Sequence, residues 1–341
     1  MKMILHPLSL ALAQPFRISR GMKTQQEALV VELRDNDISA WGEAAAHPYF
    51  GAELSKMIAV LEAQRERIEA ASLDDPSAFW AYMKPLLAEQ PMALSALDMA
   101  VWDLWSRRKG QTLREALQLP AHPIPDSNIT LGLDPIPDLL AKLHALDWPI
   151  YKVKLGGAHD MESMRAIREH TDSLLRIDAN GGWTAEQCLA YAPQLAEMGV
   201  EFIEQPLAAE DWAGMDQIYD RSPLPLIADE SCRLEEDVAR CAERFDGINI
   251  KLAKCGGISP ALRMLAKARE LGLKCMMGCM IESRIGTSAI AQLLPLLDAV
   301  DMDGPTGLRH RYAEGVELDR GKVIFPAGAG TGASLLPAYR S

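Results

Sequence analysis

Apolar and polar residues alternate at the start of the chain. Leu8, Leu10 and Leu12 recur at every second position, so residues 1–14 read as a strand. The runs Ala28–Leu33 and Ile38–Glu43 have the same texture, and Asp35-Asn36-Asp37 between them makes the pair a hairpin. The repeat then lengthens. Helices are expected near residues 53–71, 77–88 and 92–109. In the last, Leu94, Leu97, Ala100, Val101 and Leu104 recur at helical spacing, and Gly110 is the stop signal. Residues 1–120 therefore read as an α+β unit.

From about residue 125 the pattern changes. Short β-type runs appear at Asn128–Leu133, Tyr151–Leu155, Leu174–Asp178, Val200–Glu204, Leu224–Asp229, Gly247–Lys251, Lys274–Cys279 and Ala299–Asp303, each followed by a helical pattern. They recur at about the length of one βα unit. Several are apolar up to their last residue, as parallel strands covered on both faces should be. Eight units favour a closed (β/α)8 barrel over residues 121–314, with residues 1–120 as a separate cap and 315–341 packing back on it. An open doubly wound sheet would show the same alternation, but its first turn should carry a Gly-rich phosphate loop, and Leu131-Gly132-Leu133-Asp134-Pro135 is not one.

Composition narrows the function classes. The formal net charge of −12 argues against general nucleic-acid binding, although one local cluster of cations can override the mean field. Six cysteines without a CxxC pair fit a reducing compartment better than a disulfide framework. The first residues resemble a signal peptide in outline, but His6, Pro7 and Ser9 interrupt the apolar run and the strand reading is preferred. No apolar run is long enough to span a membrane. A soluble cytoplasmic protein with no membrane partner is expected.

Charges interrupt the apolar runs at particular places. Asp178, Glu204 and Asp229 end three consecutive strands, on the face of a barrel where active sites lie. A lone acid there is often a helix N-cap or a turn partner. Three in consecutive units would converge and repel, and a hard divalent cation such as Mg²⁺ resolves that repulsion with oxygen ligands. Lys152 and Lys154 share one face of the second strand, and Lys251 ends the sixth, opposite it. A substrate held on the metal would meet Lys154 on one side and Lys251 on the other. Solvated charges or ion pairs are the bland alternative for these lysines. A zinc hydrolase finds no support, since no HxH or HExxH occurs.

In these motifs, Lys152-Val153-Lys154, Asp178-Ala179-Asn180, Glu204-Gln205-Pro206, Asp229-Glu230-Ser231 and Asn249-Ile250-Lys251, the sequence resembles the enolase superfamily, within its muconate-lactonizing subgroup. The α+β first part resembles that superfamily's capping domain, so the likeness covers nearly the whole chain. Asp301-Met302-Asp303-Gly304 at the end of the eighth strand, with Gly278-Cys279-Met280 on the seventh, makes it most similar to the dipeptide epimerases of the L-Ala-D/L-Glu kind. The family uses such a DxD pair to hold the dipeptide's free ammonium, and paired carboxylates suit that donor. Asp303-Gly304-Pro305 is also a turn signal in its own right.

The resemblance implies a 1,1-proton transfer. One Mg²⁺ per subunit, on Asp178, Glu204 and Asp229, would hold the substrate carboxylate and stabilise an enediolate, with Lys152 adding a fixed positive charge. A lysine base working beside Mg²⁺ on an enediolate is the arrangement found in enolase-type sites. Lys154 and Lys251 would exchange the roles of base and acid, their pKa values lowered by neighbouring cations and burial. The resemblance adds Thr130 and Cys279 to the substrate-binding set, and places Arg17, Arg20 and Lys23 in a loop over the substrate. There Arg20 or Lys23 would pair with a glutamate side chain, or remain solvated loop charges. Tyr49 and Phe50 would form a second specificity loop. It also implies a homo-oligomer and murein peptide recycling. The same fold hosts o-succinylbenzoate synthase and N-acylamino-acid racemase, whose substrates lack the ammonium that the DxD pair would hold. A silent barrel acting as a binding protein is the reading of another class.

Overall fold

The structure, a computed structural model, describes residues 1–18 and 21–341. Three long strands, β1 (Lys2–Ile18), β2 (Gly21–Asp35) and β3 (Ile38–Ala45), form an antiparallel sheet in sequence order. The β2–β3 turn places Asn36 at φ 52°, a left-handed conformation that asparagine tolerates. Four helices follow: α1 (Leu54–Ala63), α2 (Arg65–Ala70), α3 (Pro76–Met83) and α4 (Pro91–Arg108). The single helix expected over 53–71 is broken at Gln64, which leaves helical geometry at φ −108°, ψ 6°. Asp75 caps α3 by accepting from Ala78 N, with Pro76 at the first helical position. Gly110, at φ +66°, follows the end of α4.

Helix α4 is buried along nearly its whole length because it lies between the sheet and the second unit. Its approach to β3 is close: a Cβ on Gly42 would fall 2.0 Å from Ala96 O. Leu29, Val31, Leu33, Leu97 and Val101 share this core with Ala253 from beyond the cap.

After α5 (Leu113–Ala116) the chain builds eight parallel strands: β4 (Ile129–Leu131), β5 (Ile150–Lys154), β6 (Leu174–Asp178), β7 (Val200–Glu204), β8 (Leu226–Ala228), β9 (Gly247–Ile250), β10 (Lys274–Gly278) and β11 (Ala299–Asp301). They pair in sequence order, each with the next. A parallel bridge between Ser127 and Val300 brings the last strand back to the first, and Met302 N donates to Ser127 Oγ at 2.9 Å. Arg176, 3% exposed, works at the same seam: it reaches Asn128 Oδ1 and Val300 O, over the ring of Phe202. The ring of strands is therefore a barrel and not an open sheet. The intervening helices are α6 (Ile136–Leu146), α7 (Asp160–His170), α8 (Ala185–Glu197), α9 (Trp212–Ile218), α10 (Asp237–Cys241), α11 (Leu252–Cys255), α12 (Ile258–Glu270) and α13 (Arg284–Ala291). They cover the strands' outer apolar faces in one continuous core.

Buried polar contacts join the two units. Asp98 on α4 accepts from Ser259 N at 2.8 Å and Ser259 Oγ at 2.7 Å, at the start of α12. Glu43 on β3 accepts from Ser283 N, Ser283 Oγ and Gly286 N, at the start of α13. Each is a carboxyl placed at a helix N-terminus, where unsatisfied N–H groups need acceptors. The last stretch of chain divides. Tyr312, Ala333 and Leu335 pack with Leu8, Leu10 and Trp41 of the cap, whereas Val316 belongs to the barrel core. No helix among the described residues is long and apolar enough to cross a membrane.

Candidate active site

Three carboxylates meet at the C-terminal mouth of the barrel. Asp178 ends β6, Glu204 ends β7, and Asp229 follows β8 directly. The side chains before them, Ile177, Ile203 and Ala228, lie in the core shared with the helices, so strand alternation turns each acid into the lumen. All three are buried, and one oxygen of each lies within 4.8 Å of the others. The turns after Asp178 and Glu204 pass through the left-handed region, which asparagine tolerates and glutamine adopts at a cost. Asn180 and Gln205 adopt left-handed φ values of 47° and 38°. Gln205 then ties two strand ends together, its Oε1 accepting from Asp229 N and Ser231 N at 3.0 Å each.

Four lysines face these acids. Lys152, 1% exposed, lies 2.7 Å from Glu204, 3.0 Å from Asp301 and 3.1 Å from Asp178. Lys154 is 2.6 Å from Asp178 Oδ2, and Lys251 is 2.8 Å from Asp229 Oδ2. Lys254, on α11, donates to Asp229 Oδ1 at 2.5 Å and to Asp229 O at 2.5 Å. Burial would raise the Asp178 carboxyl, but Lys154 and Lys152 outweigh it and hold it well below the usual range. Asp229 is held low in the same way, against burial, by Lys251 and Lys254. Glu204 differs: burial and the charge of Asp178 push it up to about 7 despite Lys152. Lys251 departs from the expected lowering. Burial lowers it, but Asp229 outweighs burial and its pKa is raised. Asp229 lies in direct contact with the Lys251 ammonium, at 2.8 Å.

The set fits a divalent cation. Glu204 Oε1 accepts from Asn249 Nδ2 at 2.8 Å, whereas Oε2, 2.7 Å from Lys152 Nζ, is buried without a hydrogen bond of acceptable geometry. A buried acceptor left in that condition, between two further carboxylates, is suited to a hard cation with oxygen ligands.

Asp301 and Asp303 converge by a route other than the one expected. Strand β11 stops at Asp301, so the same-face argument does not reach Asp303, which sits in the turn beyond and precedes a 3-10 segment at Gly304–Gly307. The turn reading of Asp303-Gly304 is thus also correct. Each Asp301 oxygen accepts one hydrogen bond, Oδ1 from Asn128 at 2.8 Å and Oδ2 from Lys152 at 3.0 Å, which leaves each a further acceptor position. Asp303 Oδ2 accepts from Thr130 N at 2.5 Å, and burial with the Asp301 charge pushes its carboxyl up to about 7. Cys279 lies beside both, accepting from Gly304 N at 3.3 Å, and burial raises its thiol well above the usual value.

A cavity of about 430 Å³ opens above these groups, lined by Thr130, Lys152, Lys154, Lys251, Cys279, Asp301 and Asp303. Its outer wall comes from the cap. Arg17 and Lys23 are not in a loop: they lie on paired strands, with Phe16 opposite Lys23 and Arg17 opposite Met22. Phe16 and Lys23 line the cavity, and Arg17 donates to Met22 Sδ instead. Phe50 lines it too, whereas Tyr49 is 53% exposed. Arg20 lies outside the described residues. Sequence reasoning missed Lys254, Asn249 and Asn128. The first two had a signal, since both stand within three residues of Lys251 in Asn249-Ile250-Lys251-Leu252-Ala253-Lys254.

Two family models match the chain: "Enolase C-terminal domain-like" over residues 138–339, and "Mandelate racemase / muconate lactonizing enzyme, N-terminal domain" over residues 2–117. The chain is 44% identical to the L-Ala-D/L-amino acid epimerase of Flavobacterium johnsoniae, over 98% of this chain and 100% of the relative. It is 35% identical to the hydrophobic dipeptide epimerase of Roseobacter litoralis, over 96% of each. Its fold is similar to the crystal structure of a dipeptide epimerase from Cytophaga hutchinsonii complexed with Mg and D-Ala-L-Val, with a TM-score of 0.94 and 26% identity, covering 100% of this chain and 98% of that one.

Proposed function

The chain belongs to the mandelate racemase/muconate lactonizing enzyme family of the enolase superfamily, and from that membership we propose that it is a dipeptide epimerase that inverts the α-carbon of the C-terminal residue by two-base proton transfer. The observation that carries the two-base reading is the placement of Lys154 and Lys251. Each is paired with a different carboxylate of the triad, Asp178 and Asp229, from strands on opposite sides of the barrel.

Asp178, Glu204 and Asp229 would hold Mg²⁺. Bound there, it supplies Lewis-acid stabilisation for the substrate carboxylate as that group gains charge. The rest of the work falls to the chain. Lys154 takes the α-proton from one face, and Lys251 delivers one to the other; the reverse reaction exchanges them. Lys154 and Lys251 share Asp178 and Asp229 with the place a cation would occupy, so those two carboxylates would be less available to hold the lysines protonated once it was bound. Lys152 remains fixed and buried, adding positive charge beside the reacting carboxylate. Asp303 and Asp301 take the free ammonium. The Asp303 carboxyl, raised by burial and then by the Asp301 charge, supports this, because a substrate cation beside it would favour its ionised form against both. Thr130 and Cys279 shape that end of the pocket.

The substrate is L-Ala-D/L-Glu or a related dipeptide. Lys23 is half-buried, its pKa is lowered by burial, and its Nζ donates to Gln26 Oε1 at 2.7 Å. It is the described cation on the outer wall available to a glutamate side chain, since Lys142 is already paired with Asp134. A second reading, an apolar C-terminal residue, rests on Phe16, Phe50, Ile129, Leu146, Met280 and Ile281 lining the same cavity. Six free cysteines support a cytoplasmic location. One Mg²⁺ per subunit, a homo-oligomer and a role in murein peptide recycling complete the reading, on the family resemblance alone.

The deciding experiment is a dipeptide library incubated with the protein in deuterium oxide, with and without chelator. Chelator-sensitive exchange of the α-proton at the C-terminal residue is expected. Exchange confined to non-acidic C-terminal residues would remove the Ala-Glu assignment, and no exchange in any dipeptide would remove the activity.

A further inference from the structure

A second cleft, of about 340 Å³, lies behind the turn that follows β11 and plays no part in the chemistry above. Its walls include Arg284 at the start of α13, Pro305 and Thr306 of the turn, and Arg309, His310 and Arg311 beyond it. Thr306 also lines the reaction cavity, so one turn borders both spaces.

The charge in this cleft is unbalanced. The Arg284 side chain is 24% exposed, and its ion-pair partner, Glu317 Oε1, is 4.0 Å away. Arg311 already holds that oxygen at 2.9 Å and pairs with Glu314 as well. Arg309 makes no side-chain ion pair among the described residues; its backbone N–H donates to Ala11 O. Arg284 and Arg311 thus share Glu314 and Glu317 while Arg309 has no carboxylate among the described residues, on a chain whose net charge is −12. A partly buried cation short of counter-charge is costly, and burial together with Arg311 lowers the Arg284 pKa. An anion in the cleft would offset that cost. Guanidinium forks match phosphate and carboxylate oxygens two at a time. The other walls, Met302, Leu308, Val316 and Leu318, are aliphatic or thioether, which leaves the imidazole of His310 as the one aromatic ring among the described residues lining the cleft, without a second ring to clamp a nucleobase. The chemistry therefore suits a small anion and not a nucleotide.

We propose that this cleft binds a small polyvalent oxyanion, a phosphate or a polycarboxylate, on Arg284, Arg309 and Arg311, and that occupancy steadies the Gly304–Gly307 turn from behind. The binding claim stands apart from the catalytic reading, because it uses none of the residues assigned to the reaction. The turn gives it a consequence for that reading: Asp303 immediately precedes the turn, so an anion at its back should lower KM for the ammonium-bearing substrate more than it changes kcat.

The test is isothermal titration calorimetry of the full chain with inorganic phosphate and, separately, with citrate, at constant ionic strength. Saturable one-to-one binding of at least one of them is expected. Binding of phosphate alone assigns a phosphate ligand, and binding of citrate alone a polycarboxylate. Arg309→Gln, on an exposed side chain, should weaken binding at least tenfold with the circular dichroism spectrum unchanged. Arg284→Gln should do the same, and Arg309→Gln decides if that variant does not fold. A Lys251→Ala variant should bind as the parent does. Absence of saturable binding, binding undiminished in Arg309→Gln, or binding lost in Lys251→Ala would each overturn the proposal, the last by placing the anion in the reaction cavity.

Discussion

Lys254→Met tests how Asp229 is held. Methionine keeps the length of the side chain and removes the charge. Lys254 is 4% exposed, and its ammonium meets Asp229 Oδ1 and O at 2.5 Å each, Cys232 O at 3.3 Å and Asn249 O at 3.5 Å. Removing one partner of a buried ion pair costs about 3–5 kcal/mol, because the other charge stays buried. Here Asp229 keeps Lys251 at 2.8 Å, which puts the electrostatic loss at the lower end, about 3 kcal/mol. The carbonyls that lose a donor add roughly 1 kcal/mol. Unfolding entropy near 2.1 cal/mol/K per residue gives about 0.7 kcal/mol/K for a chain of 341 residues. The midpoint should therefore fall by about 4–6 °C. Differential scanning calorimetry in chelator measures this without contribution from bound metal, with the exposed Lys322→Met as the control, expected to move the midpoint by less than about 1 °C. A loss below about 1 °C in Lys254→Met, or a gain, would mean that desolvating the lysine costs as much as the pairing returns. The claim that Lys254 anchors Asp229 would then be wrong.

Lys154→Ala and Lys251→Ala should each abolish epimerisation, yet each should retain exchange of the α-proton of one isomer with solvent deuterium; full epimerase activity in either would end the two-base scheme. Asp98 carries a pH dependence. Burial raises its carboxyl from 3.8 to about 7, so between those values the folded state keeps a proton that the unfolded state has lost, and stability falls as pH rises through that window, by at most about 4 kcal/mol. Urea titrations at pH 5 and pH 8 should show that slope in the parent and a smaller one in Asp98→Asn. Gly42→Ala should destabilise by about 1–3 kcal/mol, because the new methyl falls 2.0 Å from Ala96 O where β3 meets α4; denaturation midpoints indistinguishable from the parent would show that the two elements separate freely.

The parts of this site that could be read from sequence share one property: local periodicity exposes them. Asp178, Glu204 and Asp229 each break an apolar run at its end, and a strand's alternation then decides where such a side chain points. Lys152 and Lys154 were readable for the same reason. Asp303 shows the limit of that logic. It lies beyond the last residue of β11, and the turn, not the strand, carries it to Asp301.

What could not be read depends on contacts between distant segments. Glu43 meets Ser283 across 240 residues, and Asp98 meets Ser259 across 161. In sequence each is an acid on a strand or helix face with nothing to distinguish it from a solvated one. These two joints have a functional bearing that the strand-end acids alone do not suggest. Both place a cap carboxyl on the N-terminus of a barrel helix, α12 or α13. Helix α13 also begins at Arg284, three residues after the segment Cys279-Met280-Ile281 that lines the reaction cavity, while the cap supplies Phe16, Lys23 and Phe50 to its outer wall. Loosening the Glu43 joint should therefore shift the cap-derived wall and the barrel-derived wall together. Glu43→Gln keeps the shape but has one acceptor oxygen in place of two, so it should broaden discrimination among C-terminal side chains while leaving the Lys154 and Lys251 chemistry in place. Unchanged relative kcat/KM across the dipeptide library would show that the two walls are set independently, and that the joint serves stability alone.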